Sequence, residues 1–300
     1  VNAVVLLDKE QGMTSHDAVV QVKRLLRVRK AGHAGTLDPL ATGLLIVCLN
    51  EATKAANLLA DFDKEYAVTM LLGVSTDTYD ADGSIIQQRP IDGVTEDAVR
   101  ACAESMRGVI SQLPPMYSAI KMQGEPLYRL ARKGITVERK PRTVTIGELE
   151  VEEISLPVVR MRVVCSKGTY IRSLCHDIGE QLGVGAHMTA LRRTRIGPFR
   201  LDQGIRLSQL AEGRQGIIPL ASALCHLPAV RFGGLWLQRI RHGNAVAVTD
   251  AEMCGPCVDG LVRLQDQEGT LLGIGRAAEG TITVVRLFAD AAVPTMKEEA

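Results

Sequence analysis

A chain of 300 residues, 46% hydrophobic and 23% charged, has the balance of an ordinary globular protein, with room for one large domain or a large one and a small one. It holds no charge-free apolar run of about 18 residues, which excludes a membrane-spanning helix. Its net charge of +1 selects no class of partner by itself, and its seven scattered cysteines fit reduced thiols in a cytoplasm better than a disulfide framework. No basic segment followed by an apolar one opens the chain, so no secretory signal is expected.

Val4 to Leu7 reads as a short strand. Ser15 reads as the N-cap of a helix to about Leu26, with Val19, Val22, Leu25 and Leu26 as its apolar stripe. A loop and the strand Leu44 to Leu49 follow, then a helix from about Glu51 to Ala60 and a strand from Tyr66 to Leu72. Gly73 opens a further loop, and Thr95 caps a helix to about Met106. Residues 143–154 and 158–166 are β-rich, and Tyr170 to Leu182 is helical. Strands and helices interleave without a regular βαβ period, and no solenoid repeat is present. The expected class is α+β with a mixed sheet. Beyond residue 222 the segments become short, glycine-punctuated and β-type: Gly260 to Leu264, Leu271 to Ile274, Thr281 to Phe288. They read as a small β-rich module followed by a frayed tail.

The run from Gly32 to Leu45, GHAGTLDPLATGLL, has neither helical nor strand period and reads as one tight loop. It carries His33 and Asp38 and leads into an apolar strand. Such a turn can lift a carboxylate off the edge of a core strand as a nucleophile. It can equally be a turn in which Asp38 satisfies its own backbone.

Positive charge is clustered. Seven Lys/Arg and nine Asp/Glu lie after residue 222, against 28 and 25 before it. Lys23, Arg24, Arg27, Arg29 and Lys30 form one group, the stretch from Lys121 to Arg142 a second, and Arg192, Arg193 and Arg195 a third. Together they suggest a polyanion-binding face; singly each also fits a solvated helix face. Pro114 to Lys121, PPMYSAIK, runs on through Tyr128 and interleaves aromatic with basic residues, which suits bases on rings and phosphates on cations.

Other motifs are weaker. Gly73 to Gly83, GVSTDTYDADG, has the density of a metal loop but not the EF-hand spacing, and a capped polar turn explains it. Cys254-Gly-Pro-Cys257 matches a redox string without its flanking strand and helix, and lacks a second cysteine pair for zinc. No zinc-type histidine spacing, phosphate loop or dinucleotide fingerprint occurs, and His176 and His187 read as structural. In Cys165 to Gly183, an Arg172 in the first helical turn could pair with a carboxylate from another loop and keep it ionised.

Over residues 3–222 the chain resembles the TruB family of tRNA pseudouridine synthases, through five segments in the family's order. These are Lys9-Glu10-Gln11-Gly12, the Asp38 loop, Gly73 to Gly83 with the preceding Tyr66, Pro114 to Gly134, and Cys165 to Phe199. Glu10 departs from the family's usual proline. Leu40-Ala41-Thr42 is closer to the stand-alone bacterial enzymes than to the RNA-guided branch.

The resemblance implies a catalytic domain over 1–222 with a mobile thumb insertion at about 121–142, a PUA-like RNA-binding module over 223–290, and a flexible tail over 291–300. It implies isomerisation of the uridine at position 55 in the T-loop of tRNA, by base flipping, with no cofactor and no metal. Asp38 falls on the nucleophile, and Tyr170 and Arg172 on the active-site pair. Tyr66 would stack on the base, Leu191 would line the uracil pocket, and His33 would sit beside the flipped nucleotide. Lys9, Arg132 and Lys133 would contact the RNA. The partner would be the T-arm of tRNA, met by a cytoplasmic monomer with no obligate protein partner. Two rivals are a pure RNA-binding module and a hydrolase using Asp38 on a sugar; the second requires a paired carboxylate, which the sequence does not single out.

Overall fold

Thr14, rather than Ser15, caps the first helix. Its hydroxyl accepts from the Asp17 N–H at 3.0 Å, and the Asp17 carboxylate accepts in return from the Thr14 N–H at 3.0 Å. The signature Thr-x-x-Asp was present one residue earlier than expected. Ser15 is thereby left free, and it is buried.

The computed structural model describes residues 2–118, 120–122, 124–213, 216–254 and 259–288. Among them the chain runs β1 (Ala3–Lys9), α1 (Ser15–Leu25), β2 (Ala31–Ala34), β3 (Thr42–Leu49), a 3-10 segment (Asn50–Ala55) into α2 (Ala56–Ala60), β4 (Lys64–Leu72), β5 (Val74–Thr76), β6 (Ile85–Gln88), α3 (Glu96–Ser105), β7 (Gly108–Gln112), β8 (Lys121–Met122), β9 (Glu125–Pro126) and α4 (Leu127–Arg132). Then come β10 (Arg142–Ser155), β11 (Val158–Cys165), α5 (Ile171–Gln181), β12 (Ala186–Ile196), β13 (Phe199–Arg200), α6 (Leu207–Glu212), β14 (Ile217–Pro219) and α7 (Leu220–Ala223). The last part holds β15 (Ala229–Phe232), α8 (Gly234–Arg241), β16 (Val246–Ala247), β17 (Glu252–Cys254), β18 (Gly260–Asp266), β19 (Leu271–Ala278) and β20 (Thr281–Leu287). The expected tail falls outside the described residues.

Most of the chain wraps one sheet in the order β14-β1-β3-β12-β4-β11-β10-β7, with β2 beside β3 and β13 beside β12. All its pairings are antiparallel except β3 with β12, so the sheet is mixed and the class is α+β as expected. The sequence explains which part is covered on both sides. In β3, Leu45, Val47 and Leu49 face a core shared with α1, while Leu44, Ile46 and Cys48 face a second core with Leu59, Phe199 and Leu220. A strand buried on both faces reads as a continuous apolar run. In β4 Lys64, Tyr66, Val68, Met70 and Leu72 are buried on one face, and the alternate residues reach solvent.

A second sheet, β16-β20-β19-β18-β15-β17, has its own core of Val230, Phe232, Ile240, Val262 and Leu264. It also joins the first: Ile274 packs in the cluster of Leu6, Leu44 and Ile46, and Lys54 Nζ donates to the Leu287 carbonyl at 3.0 Å. This part was expected to be β-rich alone. It also contains α8, whose buried Ile240 and half-buried Leu237 lie three apart on one face, too short an apolar pattern to mark a helix in sequence.

β3 and β12 meet at Gly43, which pairs with Arg193 on one side and Lys9 on the other. Its φ is +98°, and a Cβ there would lie 2.3 Å from the Arg193 carbonyl oxygen. Gly43→Ala combines left-handed strain with a clash against backbone, so it should cost at least about 3 kcal/mol. The urea midpoint measures this; an unchanged midpoint contradicts the close approach.

Candidate active site

The Asp38 loop is shorter than its sequence suggests. Ala31–Ala34 is a strand paired with β3, with His33 opposite Val47, so only residues 35–41 form the turn. Four residues containing one glycine are too few to show strand alternation. The turn is then tied from three directions. Ser15, at the start of α1, donates its hydroxyl to the Leu37 carbonyl at 2.9 Å and accepts from the Leu37 N–H at 2.8 Å. Gly12 donates its N–H to the Pro39 carbonyl at 2.9 Å. Arg193, fully buried, donates to the carbonyls of Gly35 and Thr36 at 3.2 Å each and to that of Leu44 at 2.7 Å. A buried guanidinium spent on three backbone carbonyls fixes the loop more strongly than side-chain packing alone.

Asp38 projects from this turn onto Arg172. Its Oδ2 lies 2.9 Å from Arg172 Nε, and Asp80 Oδ2 lies 3.4 Å from the same nitrogen. The Nε–H is not aimed along either vector, so the contacts are ion pairs rather than directed hydrogen bonds. The other guanidinium nitrogens are committed: Nη1 donates to the Thr78 carbonyl at 3.0 Å and Nη2 to that of Tyr117 at 2.8 Å. The two carboxylates differ in exposure. The Asp38 side chain is 34% exposed, whereas that of Asp80 is 7% exposed. Burial pushes the Asp80 carboxyl up, against the Thr78 hydroxyl and Arg172, which pull it down. Thr78 Oγ1 donates to Asp80 Oδ1 at 2.5 Å, and Asp82 N–H donates to it at 3.1 Å.

Around Asp38 lies a cavity of about 270 Å³, walled by Tyr66, Leu191, Tyr170, Arg172 and Lys64 among others. Tyr66 projects from β4 and Leu191 from β12, two residues from directly opposite and so on the same face of the sheet. Tyr170 is the N-cap residue of α5, and its backbone N–H and carbonyl are both held by the buried Gln112 side chain, at 2.8 and 3.0 Å. Burial raises the phenols of both tyrosines, so both are neutral hydroxyls at physiological pH. A second groove of about 290 Å³ lies on the other side of Leu191, lined by Gln11, Leu40, Thr42 and Arg192. It also presents Glu152, but no aromatic ring on which a base could stack, so the chemistry belongs to the first.

The structure therefore brings together five of the expected residues: Asp38, Tyr66, Tyr170, Arg172 and Leu191. The other four lie elsewhere. His33 is on β2, off the cavity wall, with Nδ1 buried and unpartnered, and burial lowers its pKa. Lys9 was expected to touch substrate, but its side chain is 0% exposed and Nζ donates to the carbonyls of Glu10 and Met13 at 2.9 Å each. Arg132 and Lys133 are exposed at the end of α4; Arg132 sits 5.6 Å above the Tyr128 ring and Lys133 pairs with Glu125 at 2.7 Å. Lys64 was not foreseen. It is buried beside Tyr66, donates to the carbonyls of Ala60 and Phe62, and is lowered to about 8 chiefly by burial. Ser15, Arg193, Gln112 and Asp80 act on the site at one remove; in the sequence Asp80 lies in the Gly73 to Gly83 motif, Ser15 reads as a helix cap and Arg193 as part of a basic face, and Gln112 gives no signal.

The three basic groups fare differently. The first, Lys23 to Lys30, is exposed and makes no ion pair among the described residues. The third is not a free cationic surface: Arg193 is buried, Arg192 pairs with Asp8 at 2.9 Å, and Arg195 lies 3.5 Å from Glu65. Of the Cys254–Cys257 string, Cys257 and its neighbours lie outside the described residues.

Residues 23–171 match the family model described as TruB family pseudouridylate synthase (N terminal domain), and residues 172–216 that of the tRNA pseudouridylate synthase B C-terminal domain. Residues 228–288 match pseudouridine synthase II TruB, C-terminal. A tRNA pseudouridine synthase B of Burkholderia pseudomallei (strain 668) is 45% identical over 293 residues, covering 96% of this chain and 97% of that protein. This chain belongs to the TruB family of pseudouridine synthases. Another member, from Aromatoleum aromaticum, is 45% identical over 298 residues, with 97% and 94% covered. Among solved structures, a TruB-like fold recurs in a Cbf5-Nop10-Gar1 complex, with TM-score 0.75 and 32% identity over 96% of this chain and 85% of that one. The PUA-like character of the second sheet fits the TruB C-terminal domains.

Burial lowers the Lys9 ammonium from 10.5 to about 8, with the Asp38 charge opposing and Arg193 assisting. Between those two values the unfolded chain binds a proton that the folded chain has released. Stability therefore rises with pH across this window, from about pH 8 to pH 10.5. The urea midpoint of the wild type should climb relative to Lys9→Met over that range. Lys64 is present in both proteins and cancels; parallel midpoints would show that Lys9 is not held below its ordinary value.

Proposed function

We propose that this protein converts uridine to pseudouridine at position 55 in the T-loop of tRNA, by extruding the base into the Asp38 cavity and using Asp38 as nucleophile, without a cofactor. The carrying observation is the Asp38–Arg172 pair at 2.9 Å on the wall of a cavity that also presents an aromatic ring and an apolar side chain. Relatives named tRNA pseudouridine synthase B supply the substrate class.

The geometry supports a division of labour. A uridine leaving a folded loop loses stacking worth a few kcal/mol, which the Tyr66 ring and Leu191 replace on either side of the base. Arg172 is anchored by the Thr78 and Tyr117 carbonyls and faced by Asp80, so it stays in place as the counter-ion of Asp38. Asp38 takes C1′ as the N1–C1′ bond breaks and releases uracil as its N1 anion. After the base turns, C5 displaces the carboxylate from C1′, C5 loses its proton and N1 gains one, so Asp38 and the atom count are restored. Tyr170, neutral because of burial, is suited to donate a hydrogen bond to a uracil carbonyl rather than to act as a phenolate base. Lys9 serves from behind, as a positive charge under the Asp38 loop. The domain roles follow: residues 1–222 carry catalysis with the 121–142 insertion over the RNA, and residues 223–290 extend the RNA contact.

A sugar hydrolase requires a second carboxylate facing the ligand. Asp80 is close, a partner the sequence had not singled out, but it lies behind Arg172 and does not line the cavity. That arrangement favours isomerisation.

Asp38→Asn should reduce tritium release from C5-labelled uridine in a tRNA transcript below detection, with RNA affinity little changed because phosphate contacts dominate it. Pseudouridine formed by the Asn variant in a single turnover removes Asp38 from the chemistry.

RNA affinity should depend on the free cations only. Replacing Lys23, Arg24 and Lys30 together by Ala should reduce the slope of log K against log salt by roughly 2, and replacing Arg192 and Arg195 by less than about 1, since both already have carboxylate partners. The reverse ordering would place the RNA on the β12 side of the sheet.

A further inference from the structure

Tyr79 is the residue between two contacts of Arg172. Thr78 gives its carbonyl to Nη1 at 3.0 Å, and Asp80 faces Nε at 3.4 Å. To bring both onto one guanidinium the chain turns at Tyr79, whose φ of +64° lies in the left-handed region that a bulky side chain avoids. The turn is tied by its backbone on one side, where the Tyr79 carbonyl accepts from the Met188 N–H at 3.0 Å. The Tyr79 N–H also donates to the Thr76 carbonyl at 3.3 Å, and the Thr76 hydroxyl donates to the Asp80 carbonyl at 2.7 Å; the remaining tie is the ring. It lies flat on the His176 imidazole, with 3.9 Å between centroids and 11° between planes.

His176 stands one helical turn beyond Arg172 on α5, so a single helix face presents the guanidinium and the imidazole to the same turn. The Nδ1 of the imidazole is buried without a hydrogen-bond partner. Burial also lowers its pKa, against the Glu180 charge and together with that of Arg89. What the site uses is a flat, neutral face.

We propose that His176 and Tyr79 form a positioning pair: their stack holds the strained turn at residues 78–80, so that Thr78 and Asp80 fix the Arg172 guanidinium against Asp38. The inference rests on the reading of Asp38 as nucleophile. A role confined to the ring face dictates which replacements succeed. Phenylalanine keeps the face and removes the orphan nitrogen; alanine removes the face. Tyr79→Ala keeps the left-handed strain and removes the ring.

The experiment is single-turnover tritium release from a C5-labelled tRNA transcript at saturating enzyme, with the RNA dissociation constant and the melting temperature measured for each variant. His176→Ala should slow the rate about tenfold, equivalent to about 1.4 kcal/mol, while RNA affinity stays within roughly twofold. His176→Phe should keep the rate within roughly twofold of wild type, and Tyr79→Ala should lose as much as His176→Ala. Tyr79→Ala carries the test if His176→Ala does not fold. An unchanged rate in His176→Ala or Tyr79→Ala overturns the proposal, as does a His176→Phe protein as slow as His176→Ala. Asp38→Asn separates the two levels. If it retains activity, the reading of the site fails; if it is inactive while His176→Ala is fully active, only the positioning pair fails.

Discussion

The pairing of Asp38 with Arg172 is the constraint around which the catalytic part of this protein is arranged. A guanidinium buried among strands and loops is tolerated only when its donors are occupied and its charge is balanced. Thr78 and Tyr117 occupy Nη1 and Nη2 with backbone carbonyls, and Asp80 supplies part of the balance. Asp38 completes it from the cavity wall. Four segments distant in sequence therefore converge on one side chain: the turn after β2, the turn after β5, the stretch following β7 and the first turn of α5. Removing any of them leaves a charge or a carbonyl buried without its partner, which is worth more than the contact itself.

A nucleophile held in this way needs a loop that does not relax. The 35–41 turn is over-determined by Ser15, Gly12 and Arg193, each acting on its backbone rather than on Asp38. This leaves the carboxylate itself partly exposed and available. The cavity follows the same logic. Its ring and its aliphatic wall come from neighbouring strands of the sheet, while Asp38 comes from a loop and Arg172 from the first turn of α5. The half of the sheet covered on both faces anchors the loop, and the half with one open face carries Tyr66 and Leu191.

Charge is distributed with the same economy. Two of the three arginines in the Arg192 to Arg195 stretch are matched by carboxylates across the sheet and the third is interior, while the lysines and arginines between α1 and β2 are left to solvent. A protein of nearly zero net charge can in this way present a local cationic surface without destabilising self-repulsion in its core.

The sequence by itself determined the class of fold, most element positions and the residues that meet at the cavity. Apolar period marks β3, β4 and α5 because burial enforces it, and the short motifs around Asp38, Tyr66 and Arg172 carry a family resemblance over residues 3–222. Local signals failed where an element is too short to show a period, as in β2 and α8, or where two caps compete, as at Thr14 and Ser15. Only the tertiary structure decided which charged side chains face inward. Lys9 and Arg193 read as surface cations because Lys and Arg are almost never fully buried without partners. Their partners here are backbone carbonyls, of Glu10 and Met13 for Lys9 and of Gly35, Thr36 and Leu44 for Arg193, and every residue has a carbonyl whatever its side chain. The same holds for Gln112, which clamps the backbone of Tyr170, and for the face of His176 on Tyr79. Contacts to backbone and ring faces leave no trace in residue spacing, so they become visible only when the chain is folded.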